Sequence, residues 1–109
     1  MCIRDRYNIG VLYAYGDGVE QDYKEAFKWY KLAADQSDAD AQNKVALLYD
    51  YGEGIKEDNS KALEWYRKAA DNGDKNAANS IGWMYHQGIS TARDYDLALH
   101  YYLMKVIQP

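Results

Sequence analysis

The residues of this chain that could perform acid–base or metal chemistry are few and scattered. His86 and His100 are the only histidines, and Cys2 is the only cysteine. A zinc site needs several such ligands at a recognisable spacing, and the sequence contains no such pattern. We therefore expect no metal site and no cofactor, and a single cysteine cannot form an internal disulfide.

Nucleophilic catalysis is not indicated either. A nucleophilic serine of the hydrolase type lies in a Gly-x-Ser-x-Gly turn between a strand and a helix, with a histidine as its base. Ser37, Ser60, Ser80 and Ser90 have no such surroundings. Neither histidine has an obvious orienting carboxylate. The sequence predicts no catalytic residue, and we expect the chain not to be an enzyme.

Glycine pairs are the one pattern that could hold a phosphate group. They occur in the segments Gly16–Gly18 and Gly52–Gly54, and a divergent copy has Gly88 followed by Ser90. A dinucleotide-binding loop requires a preceding strand and a third glycine at fixed spacing. Here each pair follows a helical pattern, so we interpret these glycines as helix ends and turns.

Composition and charge exclude several classes of partner. The formal net charge is −4 and the pI is about 5.0, whereas a nucleic-acid-binding surface is basic. No apolar run approaches the roughly 18 residues that cross a bilayer, so we expect no membrane insertion. Met1–Arg6 lacks the apolar segment of a signal peptide. We expect a soluble protein, and the cytoplasm is slightly favoured over the periplasm.

The chain repeats itself with a period of 36 residues. Aligning residues 7–37 with residues 43–73 without gaps gives 12 identities in 31 positions. A more divergent third copy follows. A fixed period of this length indicates a repeat array. We place the repeats at about 2–37, 38–73 and 74–109, within one domain that covers residues 1–109.

Each repeat begins with an amphipathic helix, which we call the A helix. Ile9, Leu12 and Tyr13 follow an i, i+3, i+4 pattern, which predicts one buried face. The next position after Ile9 is glycine in two repeats, at Gly10 and Gly82. Glycine costs about 1 kcal/mol relative to alanine inside a helix. We therefore predict that another helix packs too closely there for a larger side chain.

The second helix of each repeat, the B helix, is predicted to follow an aspartate. Asp22, Asp58 and Asp94 stand where an N-cap carboxylate would accept hydrogen bonds from free backbone N–H groups. Because the middle repeat has a neighbour on both sides, we expect it to supply the centre of the core. The predicted core residues are Leu48, Tyr49, Ala62, Trp65 and Tyr66.

These patterns predict an all-α fold, an α-α superhelix (solenoid) of three helix-turn-helix repeats of 36 residues. Turns are expected near residues 16–22, 35–38, 52–58, 71–74 and 88–94. The hexapeptide Met1–Arg6 does not fit the repeat and is similar to a translated cloning scar. We expect it to be non-native, although it can continue the first helix.

The repeat unit resembles a known family. Tyr13-Ala-Tyr-Gly-Asp-Gly-Val19, then Asp22, then Ala26-x-x-Trp-Tyr-x-x-Ala-Ala34 is similar to the Sel1-like repeat (SLR), a relative of the tetratricopeptide repeat. A tetratricopeptide repeat would have a period of about 34 residues and would lack the glycine turn. The resemblance extends from Tyr7 to about Met104.

The resemblance implies a function in binding other proteins. Members of this family, many of them bacterial, are mostly adaptors that assemble protein complexes, and their A helices line the concave side of a right-handed superhelix. Some cysteine-rich secreted members are associated with β-lactam binding or hydrolysis, and these carry paired cysteines in each repeat. This chain has no such pairs, so a small-molecule-binding or hydrolytic function is the less favoured alternative.

If the A helices line a concave side, the stripe next to their core stripe would face a protein or peptide partner. Apolar and aromatic residues with polar flanks suit a peptide in a groove. The predicted contact residues are Val11, Tyr15, Lys44, Leu47, Tyr51, Trp83, His86 and Gln87. In the alternative arrangement, residues of this stripe pack between adjacent A helices, and the two tyrosines support the turns.

The ends of the chain suggest a longer array. The foreign start, the divergent third repeat and the lack of polar capping helices are all unusual for the terminal units of a solenoid. We therefore expect that further repeats of a longer parent chain could be neighbours of this domain.

Overall fold

The computed structural model describes residues 2–89 and 92–107. Met1, Ser90, Thr91, Gln108 and Pro109, which the predicted domain includes, lie outside the described residues. The described part contains six helices and no strand, which confirms the all-α prediction. The helices are α1 (Ile3–Tyr15), α2 (Tyr23–Ala34), α3 (Ala39–Tyr51), α4 (Asn59–Asp71), α5 (Lys75–Gln87) and α6 (Tyr95–Ile107).

The helices form three successive hairpins that stack into a solenoid. The A helices α1, α3 and α5 each pack against the B helix that follows, and α2 and α4 also pack against the next A helix. The resulting body is elongated, with extents of 43 × 31 × 20 Å. No helix in the described ranges is both long and apolar enough to cross a membrane.

The A helices end at the glycines that the sequence predicts. Each A helix ends at a glycine in the left-handed region, Gly16, Gly52 or Gly88, with φ of 70°, 67° and 72°. Glycine adopts this conformation without the steric cost that a Cβ imposes. The N–H of Gly16 donates to the carbonyl of Leu12, which gives a free helix carbonyl a partner.

The predicted aspartate N-caps of the B helices are also confirmed. The Asp22 carboxylate accepts from the backbone N–H of Lys24 at 3.0 Å. Asp58 and Asp94 accept from the backbone N–H groups three residues later, each at 3.0 Å. Such a cap contributes about 1 kcal/mol to helix stability.

Close approach of the A and B helices within one repeat explains the glycines at positions 10 and 82. A Cβ at Gly10 would lie 2.7 Å from a ring carbon of Tyr30 in α2, and a Cβ at Gly82 would lie 2.8 Å from a ring carbon of Tyr102 in α6. Carbon atoms need about 3.5–4.0 Å. The predicted tight packing between the A and B helices is therefore present.

The middle repeat supplies much of the core, as predicted. Leu48, Ala62, Trp65 and Tyr66 are buried. Tyr49 differs, because it is only half-buried at the seam between two repeats. Its ring packs edge-to-face on Phe27 of the preceding B helix, with ring centroids 5.5 Å apart.

The prediction that Leu12 belongs to the buried stripe of α1 is wrong. Leu12 is 44% exposed, whereas the equivalent residues Leu48 and Met84 are 5% and 3% exposed. Leu48 is covered from the preceding repeat, because it lines the same hollow as Tyr23 and Tyr30 of α2. In the described part of the chain, no B helix precedes α1, so Leu12 has no such cover.

The first helix begins inside the hexapeptide that does not fit the repeat. It starts at Ile3, and the Arg4 guanidinium lies 3.3 Å from Asp38 and 3.1 Å from Asp40 at the start of α3. These pairs are largely exposed, and an exposed ion pair contributes little to stability. They connect the first turn of α1 with the N-terminal end of α3.

Candidate functional site

The three A helices together form a surface groove. We define the A-helix groove by five residues, Tyr15, Lys44, Leu47, Tyr51 and Trp83. A first hollow of about 200 Å³ lies between α1 and α3. A second hollow of about 350 Å³ lies between α3 and α5. Leu47 and Tyr51 line both hollows, so they form a ridge that divides the groove.

The aromatic residues of the groove are unusually open to solvent. Tyr15, Tyr51 and Trp83 are 61%, 66% and 52% exposed. Large aromatic side chains bury much area when they are covered, so leaving three of them uncovered forgoes that stabilisation. Leu47 is half-buried and contributes to the packing beneath the ridge.

Charged and polar groups lie along the flanks of the groove. Lys44 and Glu53 line the first hollow. Within the described residues, the Lys44 ammonium has no ion-pair or hydrogen-bond partner. Asp50 lines the second hollow. The groove therefore offers both signs of charge beside an apolar and aromatic floor.

The Asp50 carboxylate accepts a hydrogen bond from a buried tyrosine of α4. The Tyr66 hydroxyl donates a hydrogen bond to Asp50 Oδ2 at 3.1 Å. Burial of the ring and the nearby Asp50 charge raise the pKa of Tyr66 well above its usual value. The hydroxyl thus stays protonated at neutral pH and remains a hydrogen-bond donor to Asp50.

The structure brings five of the eight predicted contact residues together and leaves three outside the two hollows. Val11 is half-buried against the core, and Gln87 is exposed at the end of α5. His86 is also exposed, and its ring packs edge-to-face near Trp83 and Tyr95, with centroids 6.0 and 5.6 Å away. His86 thus bridges α5 and α6 beside the groove.

Several lining residues escaped the sequence reasoning. Asn79 and Ile89 line the second hollow, and Tyr23 and Glu53 line the first. Extending the stripe of Trp83 back by one helical turn reaches Asn79, since residues four apart share a helix face. Glu53 lies between the glycines of a turn and Tyr23 lies on a B helix, so helix periodicity could not identify either one.

The described residues include no cluster of three or more His, Cys, Asp or Glu side chains that could hold a metal ion. Ser80, which lines the second hollow, donates its hydroxyl to the carbonyl of Asn76 at 3.1 Å. Cys2 is exposed at the far end of α1.

Comparison with protein-family models divides the chain into three repeats, as the structure does. The Sel1 repeat model matches three successive segments, residues 6–38, 39–74 and 75–104. The chain belongs to the Sel1 repeat family. Proteins with Sel1 repeats generally mediate protein–protein interaction, and the family is generally one of non-enzymatic scaffolds.

Two solved structures are similar over nearly the whole chain. A Sel1 repeat protein from Oxalobacter formigenes has 36% identity and a TM-score of 0.92, covering 95% of this chain and 43% of that one. The protective antigen c5321 of uropathogenic Escherichia coli, which displays an SLR fold, has 35% identity and a TM-score of 0.93, covering 95% of this chain and 22% of that one. Both relatives are bacterial, which supports a bacterial source.

This chain therefore spans less than half the length of either structure. A third similar structure, the cysteine-rich protein B of Helicobacter pylori, has 23% identity and a TM-score of 0.66, covering 69% of this chain and 56% of that one. That likeness shows the fold alone. No curated protein matches the sequence.

Proposed function

We propose that this Sel1 repeat protein is an interaction module that binds a peptide segment of a partner protein in the A-helix groove. The observation that carries the proposal is the exposure of Tyr15, Tyr51 and Trp83 along one line of A helices. Exposed aromatic side chains on a rigid scaffold are the usual anchors of protein interfaces, where a few of them supply most of the affinity.

The shape of the groove suggests how a peptide would lie. Leu47 and Tyr51 separate two hollows, so a peptide that crosses the A helices would place one side chain in each. Apolar side chains suit the aromatic walls, and Lys44 and Asp50 on the flanks would bind polar or charged groups of the peptide. This is helix-scaffolded groove recognition, in which pockets determine specificity.

Trp83 is the strongest candidate for a specific contact. Its equivalents in the other repeats are Val11 and Leu47, which are smaller and more deeply buried. A change to tryptophan at a position where it remains 52% exposed adds little to the core. It does add a large surface for a partner to cover.

The test begins with peptides selected against the purified protein from a displayed random library. The affinity of a selected peptide is then measured by calorimetry for wild type, Trp83→Ala and Tyr51→Ala. We expect Trp83→Ala to weaken binding at least about tenfold, which corresponds to about 1.4 kcal/mol. Because the side chain is exposed, the thermal midpoint of the variant should stay close to that of wild type.

Matched controls lie on the outer face of the B helices. Glu64→Ala and Lys28→Ala change exposed residues and should leave the affinity almost unchanged. Arg67 is unsuitable as a control, because its guanidinium donates to the Tyr85 hydroxyl and so contributes to packing. If the peptide still binds both groove variants and loses affinity for the outer-face variants, the docking surface is the B-helix side and the proposal fails.

A further inference from the structure

The two hollows of the A-helix groove are equivalent sites one repeat apart. Residues of the first two repeats line the first hollow, and residues of the last two repeats line the second. Tyr30 lines the first hollow, and its equivalent Tyr66 lines the second. Because corresponding helices surround both tyrosines, a difference in the polar groups beside them indicates a difference in what each hollow binds.

The Tyr66 hydroxyl has a partner within the protein. It donates a hydrogen bond to the Asp50 carboxylate at 3.1 Å, and Ser80 of α5 lies beside it. A buried hydroxyl needs such a partner, because it has lost its hydrogen bonds to water. The second hollow therefore supplies its own acceptor for the tyrosine.

The Tyr30 hydroxyl has no such partner. Tyr30 is 1% exposed, and its hydroxyl makes no hydrogen bond within the described residues. The residue that corresponds to Asp50 is Ala14, which also lines the first hollow and has no side-chain acceptor. The first hollow thus contains a buried hydrogen-bond donor without an acceptor.

Lys44 adds a cation to the same hollow. It corresponds to Ser80, the residue that lies beside the tyrosine hydroxyl in the second hollow. Lys44 is half-buried, and no ion pair involves its ammonium in the part of the chain that the structure describes. An ammonium and a phenol hydroxyl can both donate to one anionic acceptor, and such charge-assisted hydrogen bonds are strong.

Glu53 also lines the first hollow, but it does not pair with Lys44. Lys44 lies about two turns before the end of α3, whereas Glu53 follows Gly52 in the turn beyond that helix. The hollow therefore has a positive end at Lys44 and a negative end at Glu53.

We propose that the first hollow is selective for an acidic side chain, an aspartate or glutamate of the bound peptide. The carboxylate accepts hydrogen bonds from the Tyr30 hydroxyl and the Lys44 ammonium. This inference rests on the proposed function and adds the charge of the partner. The second hollow repels an acid, because the Asp50 carboxylate already accepts from its tyrosine, and takes an apolar side chain against Trp83. The peptide therefore has a fixed direction across the A helices.

The first test needs no peptide and compares the two hydroxyls. Tyr30→Phe and Tyr66→Phe make the same change at equivalent buried positions. Tyr66→Phe removes the hydrogen bond to Asp50 and should lower the thermal midpoint. Tyr30→Phe removes a donor that has no acceptor and should leave the midpoint unchanged or raise it. If both variants lose the same stability, the Tyr30 hydroxyl has a partner within the protein and the proposal is overturned.

The second test uses peptides selected against the wild-type protein from the displayed random library. We expect these peptides to share an acidic residue. Replacing that residue with its amide should weaken binding to wild type at least about tenfold, because a hydrogen bond to a charged group is lost. Lys44→Gln should lose most of this difference between the acidic peptide and its amide.

Lys28→Gln provides the matched control, since it makes the same change at an exposed residue of α2. It should keep the full preference for the acidic peptide. An equal loss of preference in Lys28→Gln would show that the overall charge of the protein, rather than the hollow, attracts the acid, and the proposal would fail.

A third variant transfers the acceptor of the second hollow to the first. Ala14→Asp places a carboxylate at the position that corresponds to Asp50, where it can accept from Tyr30. It should abolish the preference for the acidic peptide. Folding is checked by the far-ultraviolet helical spectrum, and Ala14→Asn supplies a neutral acceptor at the same position if the aspartate unfolds the hairpin.

The outcomes for the acid site and for the groove can be distinguished. Peptides that lose affinity for Trp83→Ala, but bind wild type and Lys44→Gln equally well with or without an acidic residue, would overturn the acid site alone. The proposed function would then stand. If no selected peptide loses affinity for Trp83→Ala, both the groove function and the acid site are wrong.

Discussion

Two pairs of repeated tyrosines occupy opposite environments in this protein. Tyr30 and Tyr66 of the B helices are each 1% exposed, whereas Tyr15 and Tyr51 of the A helices are 61% and 66% exposed. Within each pair, the residue type recurs at the same position of the repeat. Recurrence alone therefore does not distinguish a residue that stabilises the fold from one that is available to a partner.

The difference follows from what lies opposite each ring. The ring of Tyr30 packs against the bare backbone of Gly10, where a Cβ would have no room. Tyr51 lies in the last turn of α3 before Gly52, where the chain leaves the helix, and within the described residues its ring remains largely uncovered. Similar side chains thus stabilise the hairpin in one place and form an open ridge in the other.

The largest expected effect comes from truncating one tyrosine of each pair. Tyr66→Ala should lower the free energy of unfolding by about 3–5 kcal/mol, since it leaves a cavity the size of a ring and removes the hydroxyl that binds Asp50. Tyr51→Ala should change it by no more than about 0.5 kcal/mol. Urea denaturation of both variants provides the measurement, and equal losses would mean that the exposed tyrosine also stabilises the fold.

A smaller effect is expected from filling the space beneath a B-helix tyrosine. Replacing glycine by alanine inside a helix usually adds about 1 kcal/mol of stability. At Gly82 the new Cβ would lie 2.8 Å from the Tyr102 ring, and such overpacking costs about 1–3 kcal/mol. Gly82→Ala should therefore melt below wild type.

Ala46 provides the matched control for this change. It occupies the equivalent position in α3 and is fully buried, so the reverse substitution, Ala46→Gly, should also destabilise the protein, by at least about 1 kcal/mol. A higher melting temperature for Gly82→Ala would show that the hairpin can relax around the added methyl group.

The most gradual expected effect is a loss of stability at alkaline pH. Burial raises the pKa of Tyr30 above its usual value of 10.0 in the folded state, and it also raises that of Tyr66. Below about pH 10 both tyrosines are protonated in the folded and unfolded chains, and their contribution to stability is fully present. Above it the unfolded chain loses these protons first, so stability falls by up to about 1.4 kcal/mol per pH unit for each tyrosine.

The variant Tyr30→Phe keeps the buried ring and removes its titrating hydroxyl. The free energy of unfolding of this variant should decline less steeply than that of wild type between neutral and strongly alkaline pH. Urea titrations at a series of pH values provide the comparison. Parallel curves for the two proteins would mean that Tyr30 titrates alike in the folded and unfolded states.

Much of the fold was predictable because it depends on interactions between residues close in the chain. A glycine that accepts the left-handed conformation ended each A helix, and an aspartate three residues from a free N–H began each B helix. The small residue at Gly10 and Gly82 predicted a close contact, although the sequence did not reveal that a tyrosine ring fills it. Five of the eight predicted contact residues also line the two hollows between the A helices.

Burial at equivalent positions was decided only by the tertiary structure. Leu12 and Leu48 are both leucines at the same position of the repeat. They differ in exposure because the B helix α2 precedes α3, whereas in the described part of the chain no B helix precedes α1. Glu53 lines the first hollow and Asn79 lines the second, because turns and helices from different repeats meet there. The sequence by itself determined the repeat and its helices through local hydrogen bonds and sterics, whereas exposure depends on which apolar surfaces a neighbouring repeat removes from water.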